Sequence, residues 1–192
     1  MKKFIEEKII KKRTERIVDL IEDLIEEGGE VLDIGAGGGW VAEELEKRKN
    51  VKITLLDVTD FNQTDLKLVL YDGKNIPFPD NHFDASLLIF ALHHCLDPLK
   101  VLREAKRITK GKIVIIEDIP TSWLNRIFLC FWDVISNLIS VIKPPGEIIA
   151  FNFKTVPRWQ KIFKDLDLKL IKQKEGERGK LIRHVLFLLE KC

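Results

Sequence analysis

A chain of 192 residues that is 45% hydrophobic, with 32 Lys and Arg against 30 Asp and Glu and a net charge of +2, has the size and composition of one globular domain. A charge this close to balance excludes any chain-wide electrostatic case for nucleic acid or an anionic membrane as partner. Three widely spaced cysteines (Cys95, Cys130 and Cys192), none in a C-x-x-C pair, argue against a disulfide framework or a zinc site, so no metal is expected and the expected compartment is a reducing cytoplasm.

Residues 1–27 place Ile9, Ile10, Ile17, Leu20, Ile21, Leu24 and Ile25 at helical spacing, and Gly28-Gly29 stops the predicted helix. Its Lys- and Arg-rich start is too charged for a secretory leader and reads as a solvated face. A predicted first strand, Glu30–Ile34, runs into the glycine-rich stretch Asp33-Ile34-Gly35-Ala36-Gly37-Gly38-Gly39, which opens onto a predicted helix over Trp40–Lys47. The predicted second strand, Val51–Leu56, is a nearly continuous apolar run ending at Asp57, as a parallel strand covered on both faces should be. Its connection to the predicted third strand, Lys67–Leu70, has room for one helical turn at most. The fourth strand is predicted over Phe83–Phe90. Asp97 then caps a helix with Pro98 at its first position, Lys110-Gly111 ends that helix, and Lys112–Glu117 is the fifth strand.

The stretch Trp123–Ile142 is rich in Phe, Trp, Ile and Leu but holds Arg126 and Asp133, each costing about 2.5–3.5 kcal/mol at a bilayer centre. These two share a helical face with Ser136, Asn137 and Ser140, so the segment is an amphipathic helix and not a span, and about 119–150 reads as a lid-like insert. A helix opens at Thr155-Val156-Pro157. Leu168–Gln173 and Leu181–Leu189 then pair as a hairpin, with Gly176 and Gly179 in its loop. Strands alternating with helices, then a hairpin, predict an α/β fold: a doubly wound, mostly parallel seven-stranded sheet with a C-terminal antiparallel hairpin.

The glycine-rich turn carries the chemistry. Without Cβ atoms, backbone can come within van der Waals distance of a ligand, and the helix N-terminus beyond it offers N–H groups to an anion. A nucleotide-like ligand is the first expectation. The dinucleotide fingerprint G-x-G-x-x-G fails, because counting from Gly35 and Gly37 puts the Trp40 indole where a third glycine would allow close helix–strand packing.

Counting from the acid gives Asp33-x-Gly35-x-Gly37-x-Gly39, which resembles the first motif of the class I S-adenosylmethionine-dependent methyltransferases, in particular the small-molecule branch that includes ubiquinone- and menaquinone-pathway enzymes. The resemblance runs from about Val31 to Ile116 and implies a Rossmann-like methyltransferase fold with S-adenosyl-L-methionine as cofactor. Asp33, Gly35, Ala36, Gly37 and Gly39 would line the cofactor. Asp57 would accept both ribose hydroxyls, as a carboxylate's lone pairs suit. Tyr71-Asp72-Gly73, followed by Ile76-Pro77-Phe78-Pro79-Asp80, resembles the family's segment after the third strand. Asp72 would take the adenine amino group, Gly73 would allow close approach, and Ile76 and Val58 would flank the ring. Phe90 ends the fourth strand beneath the methionine part, and His93 and His94 follow it as candidate bases, although a helix-start or packing role suits them better. The helix from Asp97 to Ile108 resembles the family's scaffold. The short connection after the second strand and the Lys110-Gly111 turn depart from the family pattern.

Transfer of an activated methyl group needs alignment and exclusion of water more than a nucleophilic triad, and no such triad appears. The expected acceptor is small and partly apolar, held by the N-terminal helix and the insert. The insert's surplus apolar residues also suit a plain lid, a homodimer contact or peripheral membrane docking. The alternatives are a tRNA or rRNA methyltransferase using the basic segments, and a non-catalytic cofactor-binding partner of the same fold.

Overall fold

In the computed structural model, residues 2–139, 151–178 and 182–191 are described. The apolar runs form strands because residues of opposite parity reach opposite faces of a sheet, and both faces are covered. β1 (Glu30–Ile34) sits between β2 (Lys52–Asp57) and β4 (Phe83–Ile89), β2 pairs with β3 (Leu68–Leu70), and β4 pairs with β5 (Thr109–Ile119). All these ladders are parallel. β7 (Ile182–Lys191) lies antiparallel between β5 and β6 (Leu168–Arg178), so the sheet has the order β3-β2-β1-β4-β5-β7-β6. The chain reverses direction across the sheet between β1 and β4, and α/β sheets of this kind bind ligands outside the carboxyl ends of the strands at such a point.

Two apolar layers cover the sheet. On one face Val31, Leu55, Leu87 and Val114 pack against Val18 and Ile21 of α1 (Lys2–Ile21) and Ala42 and Leu45 of α2 (Trp40–Arg48). On the other, Leu32, Leu56, Leu88 and Ile115 meet Leu102 and Ala105 of α3 (Pro98–Ile108) and Trp159 and Phe163 of α5 (Val156–Asp165). Asp97 caps α3 by accepting a hydrogen bond from the Lys100 amide at 3.0 Å, with Pro98 in the first turn, as its sequence predicts. α4 (Trp123–Ile139) rests on the body through Leu129, which packs with Phe153 and Ile182. The rest of the predicted insert, 140–150, lies outside the described residues, as does Gly179 of the predicted hairpin loop. Among the described residues no helix is long and apolar enough to cross a membrane.

Beyond shifts of one or two residues at strand ends, three boundaries differ from expectation. α1 ends at Ile21 and tightens into a 3₁₀ turn over Glu22–Leu24 before Gly28. Lys110-Gly111 does not end a helix. β5 starts at Thr109, and the register against β4 slips between Phe83 and Ala85, where a Cβ on Gly111 would stand 2.8 Å from the Asp84 carbonyl oxygen. Gly111 therefore permits a bulge between crowded strands. Gly176 belongs to β6 and not to the loop, because the β6–β7 ladder continues to the Arg178–Ile182 pair.

Candidate functional site

Gly35 leaves β1 with φ +74° and donates its N–H to the Leu56 carbonyl at 2.8 Å, with Ala36 on the same oxygen at 3.4 Å. A Cβ at Gly35 would lie 2.6 Å from that of Ala91, so the turn is pressed against the segment after β4. At Gly37, φ +54°, a Cβ would meet nothing within 4 Å. The turn is thus clamped at one end and open in the middle, in front of the N-terminus of α2, where Gly39 is the N-cap and has no side chain to cap it.

Two buried carboxylates face this opening. Asp57 Oδ2 accepts the Gly37 N–H at 2.8 Å, and Oδ1 accepts the Val58 amide at 2.7 Å and the Thr59 amide at 3.4 Å. Asp33 is 3% exposed and its Oδ1 has no hydrogen-bond partner. Burial, followed by the charge of Asp57, raises its pKa from 3.8 to about 7. A buried oxygen without a partner, on a carboxyl kept from ionising by burial and by the Asp57 charge, favours a ligand that brings positive charge and donors. A sulfonium nucleoside with an ammonium group, as S-adenosylmethionine is, fits a site with two acidic side chains.

Val58 is exposed, and a Cβ on Gly73 would come 3.3 Å from its Cγ1, so the ends of β2 and β3 converge where the adenine ring was expected. The Tyr71 amide donates to the Asp57 carbonyl at 3.1 Å and ties the two together. Asp72 is used within its own turn: Oδ1 accepts the amides of Lys74 and Asn75 at 2.8 and 2.7 Å, and Oδ2 accepts Asn75 Nδ2 at 2.9 Å. The Asn75 amide, then that of Lys74, hold its carboxyl below the usual range. Ile76 is buried, its side chain in the core beside Leu32 and Leu88. Its backbone is gripped from α3, where Glu104 accepts the Ile76 N–H at 2.9 Å and Arg107 donates to the carbonyls of Ile76 and Phe78 at 2.9 and 2.8 Å. The short 58–67 connection folds back on the glycine turn, with the Gln63 amide donating to the Gly38 carbonyl at 3.1 Å and Phe61 edge-on to Trp40.

At the end of β4, Phe90 holds φ +56° and donates its N–H to the Ile116 carbonyl at 2.7 Å. The guanidinium of Arg13, from α1, lies 5.1 Å from the ring centroid. His93 is 3% exposed. Its Nδ1 lies 2.6 Å from Oε2 of Glu117, which is 1% exposed and whose Oε1 accepts the Leu92 amide at 2.7 Å. His93 also stacks on Phe153, 4.6 Å between centroids, and has the tilted ring of His94 at 3.9 Å. Burial pushes the thiol of Cys95 up to about 12, so it stays protonated and is no nucleophile at neutral pH.

The geometry brings Asp33, Gly35, Ala36, Gly37, Gly39, Asp57, Val58 and Gly73 to the adjoining carboxyl ends of β1, β2 and β3, with Phe90 on the neighbouring strand end. Asp72, exposed, accepts three hydrogen bonds within its own turn, as many as Asp57 takes from backbone amides, whereas Ile76 lies in the core and His93 in a buried pair. Sequence reading missed Arg13, Glu104, Arg107, Glu117 and Phe153. Only the three-residue spacing of Glu104 and Arg107 carried a signal, as an i,i+3 pair on a helix.

Residues 32–116 match a family model described as a methyltransferase domain. A demethylmenaquinone methyltransferase of Thermotoga maritima is 33% identical over 115 residues, covering 55% of this chain and 49% of that protein. The chain spans about half the length of the demethylmenaquinone methyltransferases it matches. The uncharacterized protein MJ1123 of Methanocaldococcus jannaschii is 28% identical over 77% of this chain and 76% of its own. Among solved structures, a SAM-dependent methyltransferase from Methanosarcina mazei aligns with a TM-score of 0.68 at 18% identity, over 90% of this chain and 96% of that one. The [4+2]-cyclase SpnF aligns at 0.70 and 13% identity, over 92% and 80%. These two likenesses concern the fold alone.

Proposed function

We infer that the chain is a class I S-adenosylmethionine-dependent methyltransferase that transfers a methyl group from S-adenosylmethionine to a small, partly apolar acceptor, a reading supported by its first motif and by the methyltransferase-domain match over residues 32–116. One observation carries this reading. The Asp57 carboxylate, fixed by the Gly37 amide, stands at the open middle of the turn beside the unpartnered oxygen of Asp33.

When bound, S-adenosylmethionine supplies a methyl carbon already activated by its sulfonium. Asp57 takes one ribose hydroxyl at the acceptor position left on Oδ2, and a second where the long Thr59 contact of 3.4 Å on Oδ1 gives way. The Gly35–Gly39 turn and the α2 N-terminus take the methionine carboxylate, and Val58 and Gly73 flank the adenine. His93, buried between Glu117 and Phe153, fixes the segment after β4 and is a positioning residue. The names of the relatives favour an aromatic, quinone-like acceptor. A fold shared with a named cyclase shows why activity must be argued from the site.

The test pairs calorimetry with transfer of a labelled methyl group into cell-extract fractions. Micromolar S-adenosylmethionine binding and label in the small-molecule fraction support the reading. Label in RNA whose transfer falls steeply with salt would replace the acceptor class, and binding without transfer to any fraction would make the chain a cofactor-binding partner.

A further inference from the structure

A cavity of about 390 Å³ opens beside the end of β5, lined by Pro120, Arg126, Asn152, Lys154, Thr155 and Arg158, with Phe153 as its inner wall. It adjoins the segment after β4. Phe153 stacks on His93, the Asn152 amide donates to the His93 carbonyl at 3.0 Å, and Asn152 Nδ2 donates to the Cys95 carbonyl at 2.6 Å. The cavity therefore sits on the carboxyl-end edge of the sheet, the edge that carries the glycine crevice.

Its lining is cationic and has no acid. Arg126 comes from α4, Lys154 from the approach to α5 and Arg158 from the first turn of α5. Lys154 is held by the Asn152 carbonyl at 3.0 Å and lies 5.1 Å above the Trp159 ring. Burial lowers its pKa, as do the charges of Arg158 and Arg126, against the opposing pull of Glu117 behind the lining, so the three cations act on one another. Neither guanidinium has a hydrogen-bond or ion-pair partner among the described residues, unlike Arg48 and Arg107, which are each ringed by carboxylates. The N-terminus of α5, capped by Thr155 without a side-chain bond, adds partial positive charge at the same place. Like charges gathered round a cavity cost free energy unless an anion shares them. Guanidinium forks suit phosphate and carboxylate.

We propose that Arg126, Lys154 and Arg158 bind an oxyanion group, phosphate or carboxylate, of a soluble methyl acceptor. This rests on the methyl-transfer reading and narrows it: the acceptor joins an apolar, quinone-like part to an anionic one.

The test uses the full chain and the double variant Arg126→Gln/Arg158→Gln, whose substituted side chains are exposed. Sodium phosphate at about 10 mM should raise the wild-type melting temperature by about 2–4 °C over chloride at matched ionic strength, and the double variant should lose that shift. Both proteins should bind S-adenosylhomocysteine equally, and labelled product should be retained on an anion exchanger and fall at least about tenfold with the variant. Equal phosphate responses, or a product that is not retained, overturn the proposal. Sedimentation with phosphatidylglycerol vesicles that depends on the two arginines would assign the cations to a lipid headgroup and also overturn it. If wild type fails to bind S-adenosylhomocysteine, the methyl-transfer reading fails and takes the acceptor assignment with it, whereas bound S-adenosylhomocysteine without a phosphate shift sinks this proposal alone.

Discussion

Asp57 has three backbone amides on its carboxylate before any ligand arrives, from Gly37, Val58 and Thr59. Those donors fix the orientation of the group, so little side-chain freedom is lost when a ribose diol binds. Asp57→Ala removes the acceptor and also frees the Gly37 N–H that it anchors. Calorimetry should show S-adenosylhomocysteine binding weakened by about 1–3 kcal/mol, roughly fivefold to 150-fold. An unchanged dissociation constant would take Asp57 out of the site. This residue was legible because a strand-end acid eighteen residues after Gly39 has one natural place in such a sheet. Asp72 was less so. Sequence shows an acid before a glycine, but not that two following amides and the Asn75 side chain would share it with any ligand.

Segment 76–80 owes its shape to another element. Arg107 of α3 donates to the carbonyls of Ile76 and Phe78 and pairs with Asp80 and Glu104, while Glu104 returns to the Ile76 amide. The helix that its sequence marks as scaffold thus shapes the wall next to the adenine side. Arg107→Met should cost about 1–3 kcal/mol of stability in urea unfolding, because two buried-side carbonyls lose a charged donor. It should also weaken S-adenosylhomocysteine binding while leaving Asp57 in place. Full stability in the variant would show that the clamp is idle. Element types were read well from periodicity and caps, as at Asp97-Pro98, because those signals are local. Gly111 misled for the same reason: a glycine after a helix looks like a stop, and only the Asp84 carbonyl across the ladder makes it a bulge. In the 58–67 connection the Gln63–Gly38 and Phe61–Trp40 contacts link residues more than twenty apart, beyond the reach of any periodic pattern.

Across the whole molecule, α1 and β7, from opposite ends of the chain, meet over one residue, since Arg13 and His184 both lie against the Phe90 ring. Phe90 could be placed at a strand end from sequence, but its neighbours depend on the full sheet order. Asp33 couples the site to folding. Its pKa in the folded chain, about 7, lies above the 3.8 of an unfolded aspartate, so between those values the folded chain keeps a proton the unfolded chain has released. Stability of the ligand-free protein should therefore fall as pH rises from about 4.5 to 7. Asp33→Asn should flatten this part of the profile, which thermal unfolding at matched ionic strength would reveal. Identical wild-type and variant profiles would mean that Asp33 is not held protonated. Glu30, Asp72, Asp84 and Glu104, whose pKa values are lowered, lose their contributions only as pH falls below that window.

The most direct measurement is a crystal structure of the full chain with S-adenosylhomocysteine. The ribose hydroxyls should lie within hydrogen-bond distance of the Asp57 carboxylate, with the methionine chain over Gly37 and the adenine between Val58 and Gly73. Density for the nucleoside anywhere else, or a crevice left empty at saturating ligand, would contradict the account.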